Sequence, residues 1–525
     1  MKWRILLFYT VFVIAAGSVA IINGNGGKNN TDTAPVTKAE SVEASPEALP
    51  AVNDETALCA IDVRCPDCNI ILLSVDSLRA DHVGAYGYKR DTTPYFDALA
   101  KKGALFENYF STSFLTPVSE MSVHTGMYPT AHKTTNFDTV LPEDITTLAQ
   151  YFKQKGYTTS ALLSSPEFEV NPALRESFSR GFERYTYLEQ EEVVRASPTS
   201  EQIKVEADVF SGKKFFWWVG IGGVHWPYGA QGPNVFADEA YSGIFQNKSL
   251  EWGAFQNIYE GVRYPEQIPV GDADIQYVID QYDNGVRAFD EFLKEFIGEL
   301  RKKDLLEQTI IIIQSEHGEG LHEHGYFAHY DILDTQTHVP FLILFPGFDK
   351  ECRITSFAGS VDVFPTITDV LGYAPLGQFQ GASLAPIIRG SEKDGARQEV
   401  FLERSPLWEE IFSVSSILRQ RGIEAENERH SDRGIRTPRW KYIQRTSSAA
   451  MERINWWQAM TGRKMNFPKE ELYDLVDDPG ETKNVIDQYP NEASELAQKL
   501  RARFDAISSA FSEDAEIQPT IQPYF

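Results

Sequence analysis

The sequence predicts an α/β fold, a sheet covered by helices on both faces, and three observations carry that prediction. Four nearly continuous apolar runs, Asn69–Val75, Phe215–Val219, Thr309–Ile313 and Phe341–Phe345, have the composition of strands buried on both faces. From about Asp274 to Lys302 the residues Val278, Tyr282, Val286, Phe289, Leu293, Phe296 and Leu300 recur at steps of three and four, the stripe of an amphipathic helix. The 525 residues are 42% hydrophobic and 24% charged, enough for a large core, which excludes disorder, collagen and coiled coil for most of the chain. Strands and helices alternating in this way define an α/β sheet.

In chain order, Lys2 and Arg4 precede an uncharged stretch, Ile5–Ile22, with a small-x-small site at Ser18-Val19-Ala20. Residues 1–23 therefore read as a signal peptide or an N-terminal membrane anchor, and the chain is expected to be exported, periplasmic or extracellular. Residues 24–57 are rich in Asn, Gly, Ala, Glu, Pro and Thr without hydrophobic period and read as a disordered linker. Of four cysteines, Cys59, Cys65, Cys68 and Cys352, only one close pair exists and no His stands beside it, so structural disulfides are expected rather than zinc. Lys and Arg total 49 against 75 Asp and Glu, a net charge of −26 that repels nucleic-acid phosphates. Nucleic acid is excluded as a partner, and an anionic substrate requires a local His cluster or a bound cation.

In open α/β sheets ligands collect beyond the carboxyl ends of the strands. After the first run comes Asp76-Ser77-Leu78-Arg79-Ala80-Asp81-His82, and after the Ile run comes Ser315-Glu316-His317-Gly318-Glu319, then Glu323, His324 and His329. Five of the ten His fall between positions 317 and 338. Asp76, Glu316 and His317, each just past a strand, form a mixed oxygen and nitrogen set able to hold a metal, and a solvated acidic loop is the alternative. The third element is Thr116-Pro117, a strong helix start with Thr116 as N-cap and Pro117 at the first helical position. The same placement puts a hydroxyl at the positive end of a helix dipole, where a metal would lower its pKa.

Several segments in order resemble the sulfatase family of the alkaline phosphatase superfamily. The opening Asp76–His82 with Gly84-Ala85-Tyr86-Gly87-Tyr88, the span Thr116–Gly126, Val224-His225-Trp226-Pro227-Tyr228, Glu316-His317-Gly318-Glu319 with Glu323-His324-Gly325, and Glu471-Leu472-Tyr473-Asp474 each match a family motif. The resemblance runs from about residue 69 to 485. It implies an alkaline-phosphatase-like, mostly parallel sheet between helices in a catalytic domain over 66–390, and a smaller C-terminal α+β subdomain over 391–525 with a short antiparallel sheet. It further implies that Asp76, Thr116, Glu316 and His317 bind one divalent ion, of Ca, Mg, Mn or Zn. His225 and His329 would act on the substrate with Arg79, and Glu319, Glu323 and His324 would orient the ligands.

The chain departs from the family at the chemistry. Where sulfatases carry a Cys or Ser that is oxidised to formylglycine stands Thr116, whose extra methyl blocks that product. Glu120 replaces the usual Arg, with Arg79 as a candidate partner. Val118 replaces a Pro, Leu162–Pro166 lacks the Lys-x-His pair, and Glu316 replaces Asp. The expected function is therefore a metal-dependent ester hydrolase with Thr116 as nucleophile on phosphate or phosphonate esters or in phospho-group transfer. A sulfuric ester hydrolase and an inactive sulfatase-like binding protein are the alternatives. The expected partner is a small-molecule, glycan or lipid-headgroup ester. Leu407–Asp432 is expected to form a lid or surface insertion, and Trp226, Tyr228, Trp252, Trp456 and Trp457 either line a pocket or pack as ordinary core.

Overall fold

The structure is a computed structural model. It describes residues 59, 63–137, 139–165, 167–188, 197–226, 228–229, 234–243, 245, 270–324, 327–329, 331–390, 397–404, 432–445 and 468–510. The leader, the linker, most of the 407–432 insertion and Trp252, Trp456 and Trp457 lie outside them. Among the described residues no helix is long and apolar enough to cross a membrane.

The main sheet has eight strands: β1 (Asn69–Val75), β2 (Ala104–Phe110), β3 (Thr158–Leu163), β4 (Arg184–Tyr187), β5 (Phe215–Ile221), β6 (Thr309–Ser315), β9 (Phe341–Leu344) and β10 (Cys352–Gly359). Two short strands, β7 (Gly320–Leu321) and β8 (Phe327–Ala328), pair as a separate ribbon. The order across the sheet is β10-β2-β9-β6-β1-β5-β3-β4. All pairings are parallel except those of β9, which runs antiparallel to β2 and β6. Every residue of β1 and β6 is buried. Ile70 and Leu72 face one core while Ile71, Leu73 and Val75 face the other, as the two-residue period of a strand requires.

Helices cover both faces. The elements used below are α1 (Pro94–Ala100), α2 (Thr116–Thr125), α3 (Leu148–Gln154), α4 (Ser200–Val209), α5 (Asp272–Lys302), α6 (Val363–Val370) and α7 (Pro490–Ala510). The stripe read from the sequence, Val278 to Leu300, is the buried side of α5 and packs on the face holding Ile71. Helices α2, α3 and α6 bury Met121, Leu148 and Phe364 against the other face. A second sheet of four antiparallel strands follows: β11 (Val400–Arg404), β12 (Asp432–Arg436), β13 (Trp440–Gln444) and β14 (Glu470–Asp474). The predicted fold class is therefore the observed one. The expected disulfides are also present, Cys59–Cys352 and Cys65–Cys68. Trp226 and Tyr228 are buried in the α5-side core, the packing alternative for both.

Candidate active site

Strand register builds the site. β1 and β6 are neighbours with Val75 opposite Ser315, so the residues that follow, Asp76 and Glu316, emerge side by side at the carboxyl edge. The Ser315 hydroxyl locks this edge, lying 2.7 Å from the Val75 carbonyl and 2.8 Å from the His317 carbonyl while accepting the Leu78 N–H at 3.0 Å. After Asp76 the chain must leave the sheet at once, and Ser77 does so with a positive φ of 64°, uncommon for a residue with a Cβ. Tyr282 of α5 holds this turn: its hydroxyl donates to the Ser77 carbonyl at 2.7 Å and accepts the Arg79 N–H at 2.9 Å.

Asp76, Glu316 and His317 are all buried, and one donor atom from each lies within 4.8 Å of the others. His317 Nδ1 is 2.9 Å from the Gly318 carbonyl, which can only accept, so Nδ1 carries the proton. Burial, with the neighbouring His329 ring, holds the imidazole well below its ordinary pKa and therefore neutral. Its Nε2 lone pair then faces the carboxylates, 3.6 Å from Asp76 Oδ1 and 3.9 Å from Glu316 Oε1. Two carboxylates and one imidazole presented in this way fit a divalent cation.

Thr116 joins this cluster, its hydroxyl donating to His317 Nε2 at 3.0 Å. The expectation that Thr116 caps its helix is corrected: Leu115 is the N-cap, Thr116 is the first residue of α2 and Pro117 the second. Leu115 is the last extended residue, with φ −108° and ψ 124°, so Thr116 is already helical, and its hydroxyl is directed at His317. Above it stand two more imidazoles, with the His329 ring 4.1 Å from that of His317 and the His225 ring 5.4 Å from His329. His329 Nδ1 donates to Glu319 Oε1 at 3.1 Å, and His225 Nδ1 donates to the Trp226 carbonyl at 2.7 Å. In each ring this fixes which nitrogen is turned away from the backbone and carboxylate partners.

A sulfatase family model matches residues 68–373, and a model described as N-sulphoglucosamine sulphohydrolase, C-terminal, matches residues 322–510. The chain belongs to the sulfatase family. Arylsulfatase K of Rattus norvegicus is 23% identical over 475 residues, covering 83% of this chain and 77% of the relative. Delta 4,5-hexuronate-2-O-sulfatase of Bacteroides thetaiotaomicron is 22% identical over 466 residues, covering 82% and 87%. Among solved structures, the phosphonate monoester hydrolase of Agrobacterium radiobacter superposes with a TM-score of 0.63 at 20% identity, covering 87% of this chain and all of that one. The protein is thus a sulfatase-like ester hydrolase with an alkaline-phosphatase-like fold.

Within this member of the sulfatase family the departures in sequence have definite places. Glu120, at the family's Arg position, is fully buried on α2. Its Oε1 accepts from Gln314 Nε2 at 2.9 Å, while Oε2 has no hydrogen-bond partner and lies 3.6 Å from His124 Nε2, also without one. Burial pushes its carboxyl up to about 7, against the hydrogen bond from Gln314. The pairing of Glu120 with Arg79 is not formed: that guanidinium binds Asp81 through two bonds of 2.7 and 2.8 Å and Glu323 at 2.5 Å. It also donates to the Glu319 carbonyl at 3.0 Å, so Arg79 ties the loop after β1 to the loop after β6. Ser165, inside the segment that lacks Lys-x-His, donates to Asp76 Oδ2 at 3.3 Å.

Sequence reasoning missed Ser119, whose hydroxyl donates to the Glu316 carbonyl at 2.5 Å, along with Ser315, Tyr282 and Ser165. Ser119 carries a usable signal, since three residues after Thr116 it lies on the same helix face. Tyr282 and Ser165 carry none, because each acts across a distance in sequence that no local pattern encodes.

Proposed function

We propose that this sulfatase-like protein is a metal-dependent hydrolase in which Thr116 is the nucleophile on phosphate or phosphonate esters. The observation that carries the reading is the Thr116 hydroxyl 3.0 Å from His317 Nε2 inside the Asp76–Glu316–His317 set. Those three residues, with Thr116 beside them, would hold one divalent ion. When bound, it supplies Lewis-acid polarisation of a substrate oxygen and favours ionisation of a neighbouring hydroxyl. The chain's own residues do the rest. The first turn of α2 points the Thr116 oxygen at the site from a helix N-terminus, which favours negative charge there. Once the Thr116 hydroxyl has lost its proton to solvent, in-line attack forms a bond from Thr116 oxygen to phosphorus and breaks the bond to the leaving oxygen, giving a phosphothreonine that water then hydrolyses. His329, aligned by Glu319, delivers a proton to the leaving oxygen, and His225 binds the non-bridging oxygens.

A sulfate ester is the second reading, favoured by the sulfatase names of the curated relatives. It requires Thr116 to attack sulfur directly, since Thr cannot yield formylglycine. The hexuronate sulfatase also favours a glycan ester as the natural substrate. Export to an oxidising compartment is part of the same proposal, supported by the pairing of all four cysteines.

The test is metal analysis of the full chain followed by turnover of an aryl sulfate, an aryl phosphodiester and an aryl phosphonate, each against Thr116→Ala. Bound metal with phosphoester turnover lost in Thr116→Ala is the expected result. Turnover of the aryl sulfate alone moves the assignment to sulfur, and undiminished turnover in Thr116→Ala removes the threonine mechanism.

A further inference from the structure

His329 must be placed to within a fraction of an ångström to serve as an acid, yet it sits in a loop just beyond the two-residue strand β8. Glu319 aligns its ring. The backbone that follows is held from elsewhere in the chain.

Asp331, two residues after His329, receives a forked ion pair from Arg445, which stands directly after β13. The contacts are Nη1 to Oδ1 at 2.7 Å and Nη2 to Oδ2 at 3.1 Å. The same guanidinium reaches Glu471 of β14 at 2.7 Å and Asp432 of β12 at 3.2 Å. Asp334 is held in turn by Lys441 of β13 at 2.8 Å and Arg436 of β12 at 3.0 Å, and its N–H donates to Glu481 at 2.5 Å. Between these anchors Ile332 and Leu333 are buried against Leu402 and Ile443 of the same sheet. Asp331, Arg445, Asp432, Lys441 and Glu481 are all buried.

An ionic network taken out of water is a costly way to dock one sheet on another, because desolvation offsets most of the attraction and an apolar contact of equal volume does as well or better. What a forked guanidinium–carboxylate pair supplies beyond attraction is a fixed relative geometry. Here that geometry belongs to the segment that begins two residues after His329. We infer that the Arg445–Asp331 pair is the positioning device for His329, so that the C-terminal sheet completes the active site and is more than a neighbour of it. The inference rests on the role proposed above for His329.

The test is a double-mutant cycle in the full chain on the aryl ester that the wild type hydrolyses, with metal content and urea midpoint measured for every variant. Asp331→Asn is the chosen perturbation. It keeps the shape of the side chain and an oxygen for the Ile332 N–H while breaking the ion pair. Alone it is expected to lower kcat by about tenfold to a hundredfold with KM and metal content unchanged. In a His329→Ala background it should have no further effect, and Arg445→Lys, which keeps the charge but loses the fork, should retain an intermediate kcat. Wild-type kcat in Asp331→Asn, or the same fractional loss with and without His329, would overturn the inference. Full turnover in His329→Ala alone would instead remove the proposed role of His329, and this inference with it.

Discussion

The two disulfides close loops of very different size, and their contributions to stability should differ accordingly. Cys59 and Cys352 are separated by 293 residues, Cys65 and Cys68 by 3. If a disulfide acts by removing loop-closure entropy from the unfolded chain, the first restricts it by about 19 cal/mol/K, or about 5.7 kcal/mol at 25 °C, and the second by less than about 2 kcal/mol. The assay is urea unfolding under oxidising conditions of Cys59→Ala with Cys352→Ala, and separately of Cys65→Ala with Cys68→Ala. The first pair should lose several kcal/mol and the second little. Turnover at 25 °C should be unchanged in the first, because Cys352 opens β10 at the amino edge of the sheet, opposite the carboxyl edge that carries Asp76 and Glu316. Equal midpoints for the two double variants would refute the entropic reasoning.

Two further predictions concern buried carboxyls. Above pH 7, where the Glu120 carboxyl is ionised, Glu120→Gln places an N–H where Oε2 now faces His124 Nε2, so it should raise stability by about 1 kcal/mol as read by urea unfolding, and a lowered midpoint would show that the carboxyl group itself is needed there. Asp290 of α5 accepts the Tyr95 and Phe96 N–H groups at 2.9 and 2.7 Å, capping α1 from outside, yet burial raises its pKa from 3.8 to about 6. A raised folded-state value means that its share of stability is complete below pH 3.8 and is lost as pH rises through 6, by about 3 kcal/mol. Asp290→Asn should flatten the pH dependence of the urea midpoint over that window; an unchanged slope would assign the dependence to other groups.

What was legible in the sequence had a local cause. The runs at β1 and β6 are apolar at every position because both faces are covered, and α5 shows its stripe because one side alone is buried. Asp76, Glu316 and His317 were found because strand ends mark where a parallel sheet binds ligands. The reversed direction of β9 was not legible, since a doubly buried strand has the same composition in either direction. Nor was the fate of Arg79, Glu120 and Arg445, whose partners lie far away in sequence: 244 positions for Arg79 with Glu323, 194 for Glu120 with Gln314 and 114 for Arg445 with Asp331. The N-cap error at Thr116 belongs to the same class, because local grammar expects the hydroxyl to serve its own helix and a histidine 201 residues away claims it.

The lateral pairing of Val75 with Ser315 has one more consequence. These residues are 240 positions apart, and neither strand alone presents more than part of the set proposed to hold the cation. The set exists only once the centre of the sheet has closed, so on the proposed reading a nascent or misfolded chain would lack the place for the ion. Cation uptake would then report completed folding, and a cation that binds only the closed sheet would stabilise it by mass action, by about 2.7 kcal/mol at a hundredfold excess over its dissociation constant. In a compartment where the ion is scarce, its supply would govern how long the enzyme survives as well as how fast it works.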